Sequence, residues 1–216
     1  MKRLIFIAVT AALLSGPVMA AISLPGTGAP PSVVTDAHYL LYPVTTNATS
    51  PVGVPGSAFL TARPTDRYPA DTGYSWIGPT STSGTTNPSG GYYWYQLNAG
   101  QVIVNTGSQT GLYHFEGDWA SDNDAALFTD GGTLTQVATL DFGVAPNYSF
   151  GVLTHFSFDA NVNYGEALLF RVNNVGDNPT GLLVENFSAT FVPLPGAVLL
   201  GMLGLGVAGL KLRKAV

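Results

Sequence analysis

FGVLTHFSF, residues Phe150–Phe158, carries the clearest structural pattern in the sequence. The even-numbered positions from Phe150 to Phe158 share one face and are apolar except for Thr154, whereas His155 and Ser157 lie on the other face. An alternation of period two predicts a β-strand with one buried face. Similar short alternations recur from residue 33 to residue 191, and no helical periodicity of useful length interrupts them. We therefore expect an all-β domain.

Glycine, proline, asparagine, aspartate and serine separate these short apolar segments and mark the turns. Many short strands with frequent turns are typical of a β-sandwich. We predict one sandwich over residues 33–191, preceded by a flexible lead-in at residues 21–32. The predicted strands are Val33–Val44, Ser57–Ala62, Tyr74–Ile77, Gly91–Leu97, Gln101–Asn105, Gly111–Gly117, Ala125–Thr129, Thr133–Phe142, Phe150–Phe158, Glu166–Asn173 and Leu182–Phe191.

Charge is distributed unevenly along the chain of 216 residues. All 13 acidic residues, but only three of the eight basic ones (Arg63, Arg67 and Arg171), lie between residues 21 and 195. This part therefore has a net charge of −10, and nucleic-acid binding, which needs clustered positive charge, is excluded. The chain has no cysteine, which excludes a thiol nucleophile and cysteine-based metal centres.

The first 20 residues, MKRLIFIAVTAALLSGPVMA, have the three parts of a secretory signal peptide. Lys2 and Arg3 form the basic start, an apolar stretch follows, and small residues end at Ala20. We expect a signal peptidase to remove residues 1–20 and the chain to be exported.

A second apolar segment lies at residues 197–210, between a proline-containing motif and the basic tail of residues 211–216. As a helix it would span about 21 Å, short of the roughly 30 Å of a bilayer core. The alternative, a buried core helix, would have a polar face, and this segment has none. We expect a short transmembrane helix whose basic tail lies on the cytoplasmic side.

Residues 192–216 as a whole resemble the PEP-CTERM sorting signal in its VPLPA form. The motif is Val192, Pro193, Leu194, Pro195 and Gly196, followed by a glycine-rich apolar run and basic residues. The resemblance implies recognition by an exosortase in the inner membrane of a Gram-negative bacterium that secretes exopolysaccharide. The expected course is an inner-membrane-anchored precursor that is cleaved near the prolines and reaches the cell surface or the medium.

A weaker resemblance concerns GEALLFRVNNVGDNPTGLLVEN, residues Gly165–Asn186, which looks like the closing strands of galactose-binding-like jelly rolls. The resemblance implies a jelly-roll sandwich, and many members of that superfamily bind sugars. Tyr92 and Trp94 fall on one face of the strand GYYWYQL, and Trp76 lies upstream. These three rings are candidates for stacking on a sugar, and the alternative is that they pack in the core.

The segment EGDWASDNDAALFTDGG, residues Glu116–Gly132, is acidic. Asp118, Asp122 and Asp124 offer hard oxygen ligands at short spacing, which suits a structural Ca²⁺ ion. The alternative is a solvated acidic turn. No other cofactor is expected.

No catalytic arrangement is recognisable in the sequence. A glycosidase needs two carboxylates across a cleft, and Glu116, Glu166 and Glu185 do not pair by any visible pattern. A Ser-His-Asp site would use one of the three histidines, but no nucleophile-elbow motif is present. The leading interpretation is a non-enzymatic structural or carbohydrate-binding component of the envelope, biofilm or exopolysaccharide matrix. The alternative is a secreted enzyme that acts on extracellular polysaccharide.

Overall fold

The computed structural model describes residues 21–28, 34–62, 69, 73–83, 88–99, 110–141, 143–144, 147–163, 166–176 and 178–193. Within them the chain forms thirteen β-strands. These are β1 (Ile22–Ser23), β2 (Thr35–Leu41), β3 (Gly56–Leu60), β4 (Ile77–Gly78), β5 (Gly91–Leu97), β6 (Gly111–Asp122), β7 (Asp124–Asp130), β8 (Leu134–Leu140), β9 (Gly143–Val144), β10 (Asn147–Tyr148), β11 (Thr154–Val162), β12 (Ala167–Asn174) and β13 (Gly181–Phe191).

The strands form two antiparallel layers. One layer has the order β11-β6-β13, and the other has the order β2-β5-β12-β7-β8. The short strands β3 and β4 connect β2 to β13 and so join the layers along one side. Strand β1 pairs with β13, and β9 pairs with β10 in a separate two-stranded ribbon. The predicted class, an all-β sandwich, is confirmed.

Aromatic side chains fill the space between the layers. Trp119 of β6 and Phe156 of β11 contact Phe170 of β12 across the sandwich, with ring centroids 6.1 and 6.4 Å apart in edge-to-face geometry. Within one layer, Phe115 stacks on Phe158 at 5.0 Å. Because all of these rings come from alternate positions of their strands, the core follows directly from the period-two pattern.

Strand β11 begins later than the sequence predicts. The predicted strand started at Phe150, but the chain turns there and pairs with β6 only from Thr154 onward. Val152 is consequently exposed instead of sharing the core face of Phe156 and Phe158. The rest of the pattern is as expected, because His155 and Ser157 lie on the outer face.

The two terminal signals lie mostly outside the described residues. This holds for the predicted signal peptide, the apolar segment 197–210, and Leu194, Pro195 and Gly196 of the sorting motif. The first motif residue, Val192, directly follows β13, and its N–H donates to the Leu112 carbonyl at 2.8 Å. Pro193 is exposed. Across the part of the chain that is described, no helix is long and apolar enough to cross a membrane.

Candidate functional site

A groove runs between the edge strands β8 and β11, on the side of the sandwich opposite to β3 and β4. It has a volume of about 420 Å³, within the usual range for small-molecule sites. Its walls come from β8, from β11 and from the turn between β7 and β8. The lining residues are Leu112, Thr129, Gly131, Thr133, Thr135, Val137, Asp159, Ala160, Asn161 and Glu166.

The groove combines hydrogen-bonding groups with apolar surface. Threonines line the β8 side, and Asp159 and Asn161 line the β11 side. Leu112 and Val137 supply apolar area between them. None of the described lining residues is cationic. The groove is therefore suited to an uncharged, hydroxyl-rich ligand that also has apolar faces.

Glu166 also lines the groove and is held in place by its own turn. Its two carboxylate oxygens accept hydrogen bonds from the N–H and the side-chain amide of Asn163, each at 2.7 Å. A Cβ atom placed on Gly131 would lie 3.0 Å from the Glu166 carboxylate, so the two turns approach each other closely. The carboxylate is thus fixed before any ligand arrives.

The outer face of β11, β6 and β13 adjoins the groove and is polar. We call this set of side chains the polar ladder; it comprises the cross-strand neighbours Ser157, Glu116 and Ser188, then Asp159, His114 and Thr190, and at the other end the pair His155 and Asp118, which Asn186 joins from the irregular part of β13. Asp159 belongs both to the ladder and to the groove.

Three ladder residues form a continuous hydrogen-bonded chain. His114 Nδ1 lies 2.7 Å from Asp159 Oδ1, and His114 Nε2 lies 3.2 Å from Ser157 Oγ. The side chains of His114 and Asp159 are 44% and 58% exposed, so the chain is open to solvent. The geometry follows from register, because His114 is the direct cross-strand neighbour of Asp159 and Ser157 is two residues away on the same face.

A second histidine–carboxylate pair lies further along the same face. His155 Nδ1 is 3.2 Å from Asp118 Oδ1, and Asn186 donates to Asp118 Oδ2 at 2.9 Å. Among the described residues, no serine is hydrogen-bonded to His155 in the way that Ser157 is to His114. The face therefore holds two histidine–aspartate pairs, one with a hydroxyl partner and one without.

The predicted aromatic platform is not accessible. Trp94 is completely buried on the outer face of β5, beside Phe128 of β7, with ring centroids 5.1 Å apart. The segment around Asn47 covers it, and the Trp94 indole N–H donates to the Asn47 carbonyl. Arg171 also lies over the rings of Tyr92, Trp94 and Phe128, at 5.2, 5.9 and 5.4 Å. Only Tyr92, which is half-buried, keeps some exposure.

Trp76 is likewise buried, with 1% of its surface exposed. It packs with Ala120 and Leu183 on the outer face of the β6–β13 pair, under Tyr74 and Phe150. The predicted sugar-stacking candidates thus occupy two packed clusters, one on each outer face, and form no common surface. Their burial corresponds to the alternative of structural packing.

The predicted calcium ligands are spread along two strands instead of a turn. The acidic segment continues β6 to Asp122, and only Asn123 separates it from β7. Asp118 belongs to the polar ladder, while Asp122 and Asp124 bond to Asn123 and Asn173. Within the described part of the chain, no three acidic or histidine side chains come together as a metal site.

Comparison with known proteins finds solved structures of similar outline but no matching family model or curated sequence. A family 35 carbohydrate binding module from Clostridium thermocellum aligns with 73% of this chain and 100% of its own, at 14% identity and a TM-score of 0.32. The CBM35 of Cellvibrio japonicus Abf62 aligns with 74% of this chain and 92% of its own, at 12% identity and a TM-score of 0.34.

A third similar structure contains the CBM22-1 and GH10 modules of a Clostridium thermocellum endo-1,4-β-D-xylanase, complexed with xylohexaose. The alignment covers 74% of this chain but only 27% of the xylanase chain, at 13% identity and a TM-score of 0.39. The chain is therefore similar to carbohydrate-binding modules only in its loose outline.

Proposed function

We propose that the protein binds a neutral polysaccharide in the groove between β8 and β11. The observation that carries this proposal is the composition of the groove: hydroxyl, amide and carboxylate groups around apolar side chains, in about 420 Å³. Sugar hydroxyls exchange hydrogen bonds with such groups, and the C–H faces of a sugar ring pack against leucine and valine. The register of β11 keeps Asp159 and Asn161 on one face, as a repeating ligand requires.

Charge narrows the class of ligand. Asp159 and Glu166 lie in the groove, and residues 21–195 carry a net charge of −10. A polyuronate would be repelled by these carboxylates and would find no cation among the described lining residues. Neutral chains therefore bind better than acidic ones.

The place of action that fits this chemistry is the envelope, biofilm or exopolysaccharide matrix. The signal-peptide pattern of residues 1–20 supports export, and the likeness of residues 192–216 to the VPLPA form of the sorting signal supports processing by an exosortase. Val192 is still bonded to the sheet at the end of β13. A protease that cuts at this motif would have to work within a few residues of the folded domain and next to Pro193, a residue that disfavours helix.

Affinity electrophoresis tests the binding proposal. The purified protein is run through three gels, which contain neutral arabinoxylan, the neutral exopolysaccharide fraction of the native host, and polygalacturonate, respectively. We expect retardation by a neutral polymer and none by polygalacturonate. Asn161→Ala removes one uncharged hydrogen bond worth about 1 kcal/mol and should weaken binding about five-fold.

Two substitutions on the same strand give the matched comparison. Thr135→Trp fills the groove and should abolish retardation. Thr139→Trp adds the same side chain at an exposed position of β8 that does not line the groove, and it should bind like the parent. Equal binding by both tryptophan variants would refute the groove as the site, and retardation by polygalacturonate alone would refute the charge argument.

A further inference from the structure

Ser157, His114 and Asp159 have the connectivity of a serine hydrolase triad. The carboxylate of Asp159 holds one imidazole nitrogen at 2.7 Å, and the other imidazole nitrogen lies 3.2 Å from the Ser157 hydroxyl. A carboxylate on Nδ1 leaves Nε2 as the proton acceptor that faces the serine. This order of groups is what activation of a serine requires, and it depends on geometry instead of a sequence motif.

The backbone of β11 supplies a hydrogen-bond donor beside the Ser157 hydroxyl, namely the N–H of Ser157 itself. The Val192 N–H bonds to the Leu112 carbonyl, so Leu112 turns its backbone groups toward β13. In an antiparallel sheet these directions alternate, so Tyr113, Phe115 and Gly117 turn theirs toward β11. Their partners are the even-numbered residues of β11. The N–H groups of Ser157 and Asp159 therefore point away from β6, toward the edge where no described strand pairs with β11.

We propose that Ser157, His114 and Asp159 form a hydrolytic site for carboxylic esters. Ser157 Oγ attacks the ester carbonyl carbon while His114 Nε2 takes its proton. The Ser157 N–H at the free edge donates to the carbonyl oxygen as it becomes negative. The bond to the alcohol breaks, and the alcohol leaves with the proton from His114. A water molecule then attacks the carbonyl carbon of the acyl-serine while His114 takes its proton, the bond to Ser157 Oγ breaks, Ser157 regains a proton from His114, and the carboxylic acid is released.

The position of the triad indicates the natural substrate class, and this step rests on the proposed function. Asp159 lines the groove, and Ser157 lies two residues away on the same face of β11, so a polysaccharide that extends out of the groove past Asp159 would reach Ser157. An acyl ester on a sugar hydroxyl is the bond such a ligand would present. Because His114 and Asp159 are half exposed, water screens the site, and we expect turnover far slower than that of a buried triad.

Hydrolysis of p-nitrophenyl acetate by the purified protein tests the triad alone, because this small ester does not need the groove for binding. Ser157→Ala and His114→Ala should each lower the rate by about 100-fold or to the level of buffer. His155→Ala removes a histidine of similar environment that has no serine partner, and it should leave the rate unchanged. Intact mass should show one acetyl group on the parent, and peptide mapping should place it on Ser157.

The outcomes separate the two proposals. Unchanged hydrolysis in Ser157→Ala, or equal losses in the two histidine variants, would show ordinary imidazole catalysis and overturn the triad. Acetate release from acetylated xylan should fall in Thr135→Trp, whereas p-nitrophenyl acetate turnover should not. If the groove variant loses neither binding nor acetate release while the triad variants lose turnover, the groove proposal fails and the triad remains.

Discussion

Replacing Trp94 tests directly whether its ring is packed inside the protein or exposed for stacking on a sugar. An exposed tryptophan that stacks on a sugar could be removed with little effect on folding. The structure instead buries Trp94 completely, between Phe128 and Arg171 and under the segment around Asn47. Trp94→Ala should therefore destabilise the protein.

The expected loss of stability has two parts, the contacts that the tryptophan ring loses and the cavity that its removal creates. Replacing a buried tryptophan by alanine typically costs about 3–5 kcal/mol, because the lost apolar contact is added to the cost of the cavity. Phe128 loses an aromatic neighbour at 5.1 Å, and the Asn47 carbonyl loses the indole N–H. For a domain of this size, each kcal/mol lowers the melting temperature by about 2–4 °C, so we expect a fall of roughly 6–20 °C.

Urea unfolding followed by tyrosine and tryptophan fluorescence measures the free energy, and calorimetry measures the melting temperature. Trp94→Phe is the matched control, because it keeps an aromatic ring and should recover part of the loss. A cost below about 1 kcal/mol for Trp94→Ala would refute the packing argument. So would a stable variant that has lost retardation by neutral polysaccharide, since the aromatic platform would then be the binding site.

Three further predictions concern other parts of the molecule. Arg171→Lys loses the planar group that lies over three rings and bonds to the Ala48 carbonyl, and urea unfolding should show a cost of about 2 kcal/mol; full stability would contradict this. Burial raises the pKa of Tyr95, so its contribution to stability is complete below about pH 10 and is lost as the pH rises further, by up to about 1.4 kcal/mol per pH unit. Tyr95→Phe should leave the free energy of unfolding at pH 7 unchanged, because no described residue is hydrogen-bonded to the hydroxyl, and it should reduce this alkaline loss; an unchanged slope between pH 10 and pH 12 would count against it. Changing Pro193 and Pro195 to Ala should leave uncleaved precursor in the inner membrane, whereas an intact mass for the parent that still includes residues 196–216 would exclude processing.

Alternation along single strands could be predicted from the sequence. It placed Tyr93 and Tyr95 on the opposite face from Tyr92 and Trp94, and the structure has the first pair in the central core and the second in the outer cluster. What covers an outer face could not be predicted. Trp94 is covered by residues 47 positions earlier in the chain, and no local pattern links them.

The prediction of a turn within the acidic segment was wrong for a related physical reason. Its aspartates suggested a turn, because polar residues in a row usually lie outside strands. In the folded chain, however, β6 and β7 run through it, and Asp122 is buried beside the connection between β12 and β13. The Asp122 carbonyl accepts a hydrogen bond from Thr180 at 2.6 Å, and the Asn123 side chain accepts one from the Val175 N–H. These partners lie more than 50 residues away and could not be predicted from local composition.

The two parts of the candidate site differ in how far the sequence could predict them. The groove needs the edges of two strands from different layers, β8 and β11, and no sequence spacing relates them. The triad, in contrast, needs only the register of β6 against β11, which pairs His114 with Asp159. Phe156 and Phe158 fix that register, because a slip by one residue would expose both rings and bury the polar face. The alternation that builds the core therefore also aligns the histidine with its carboxylate and its serine.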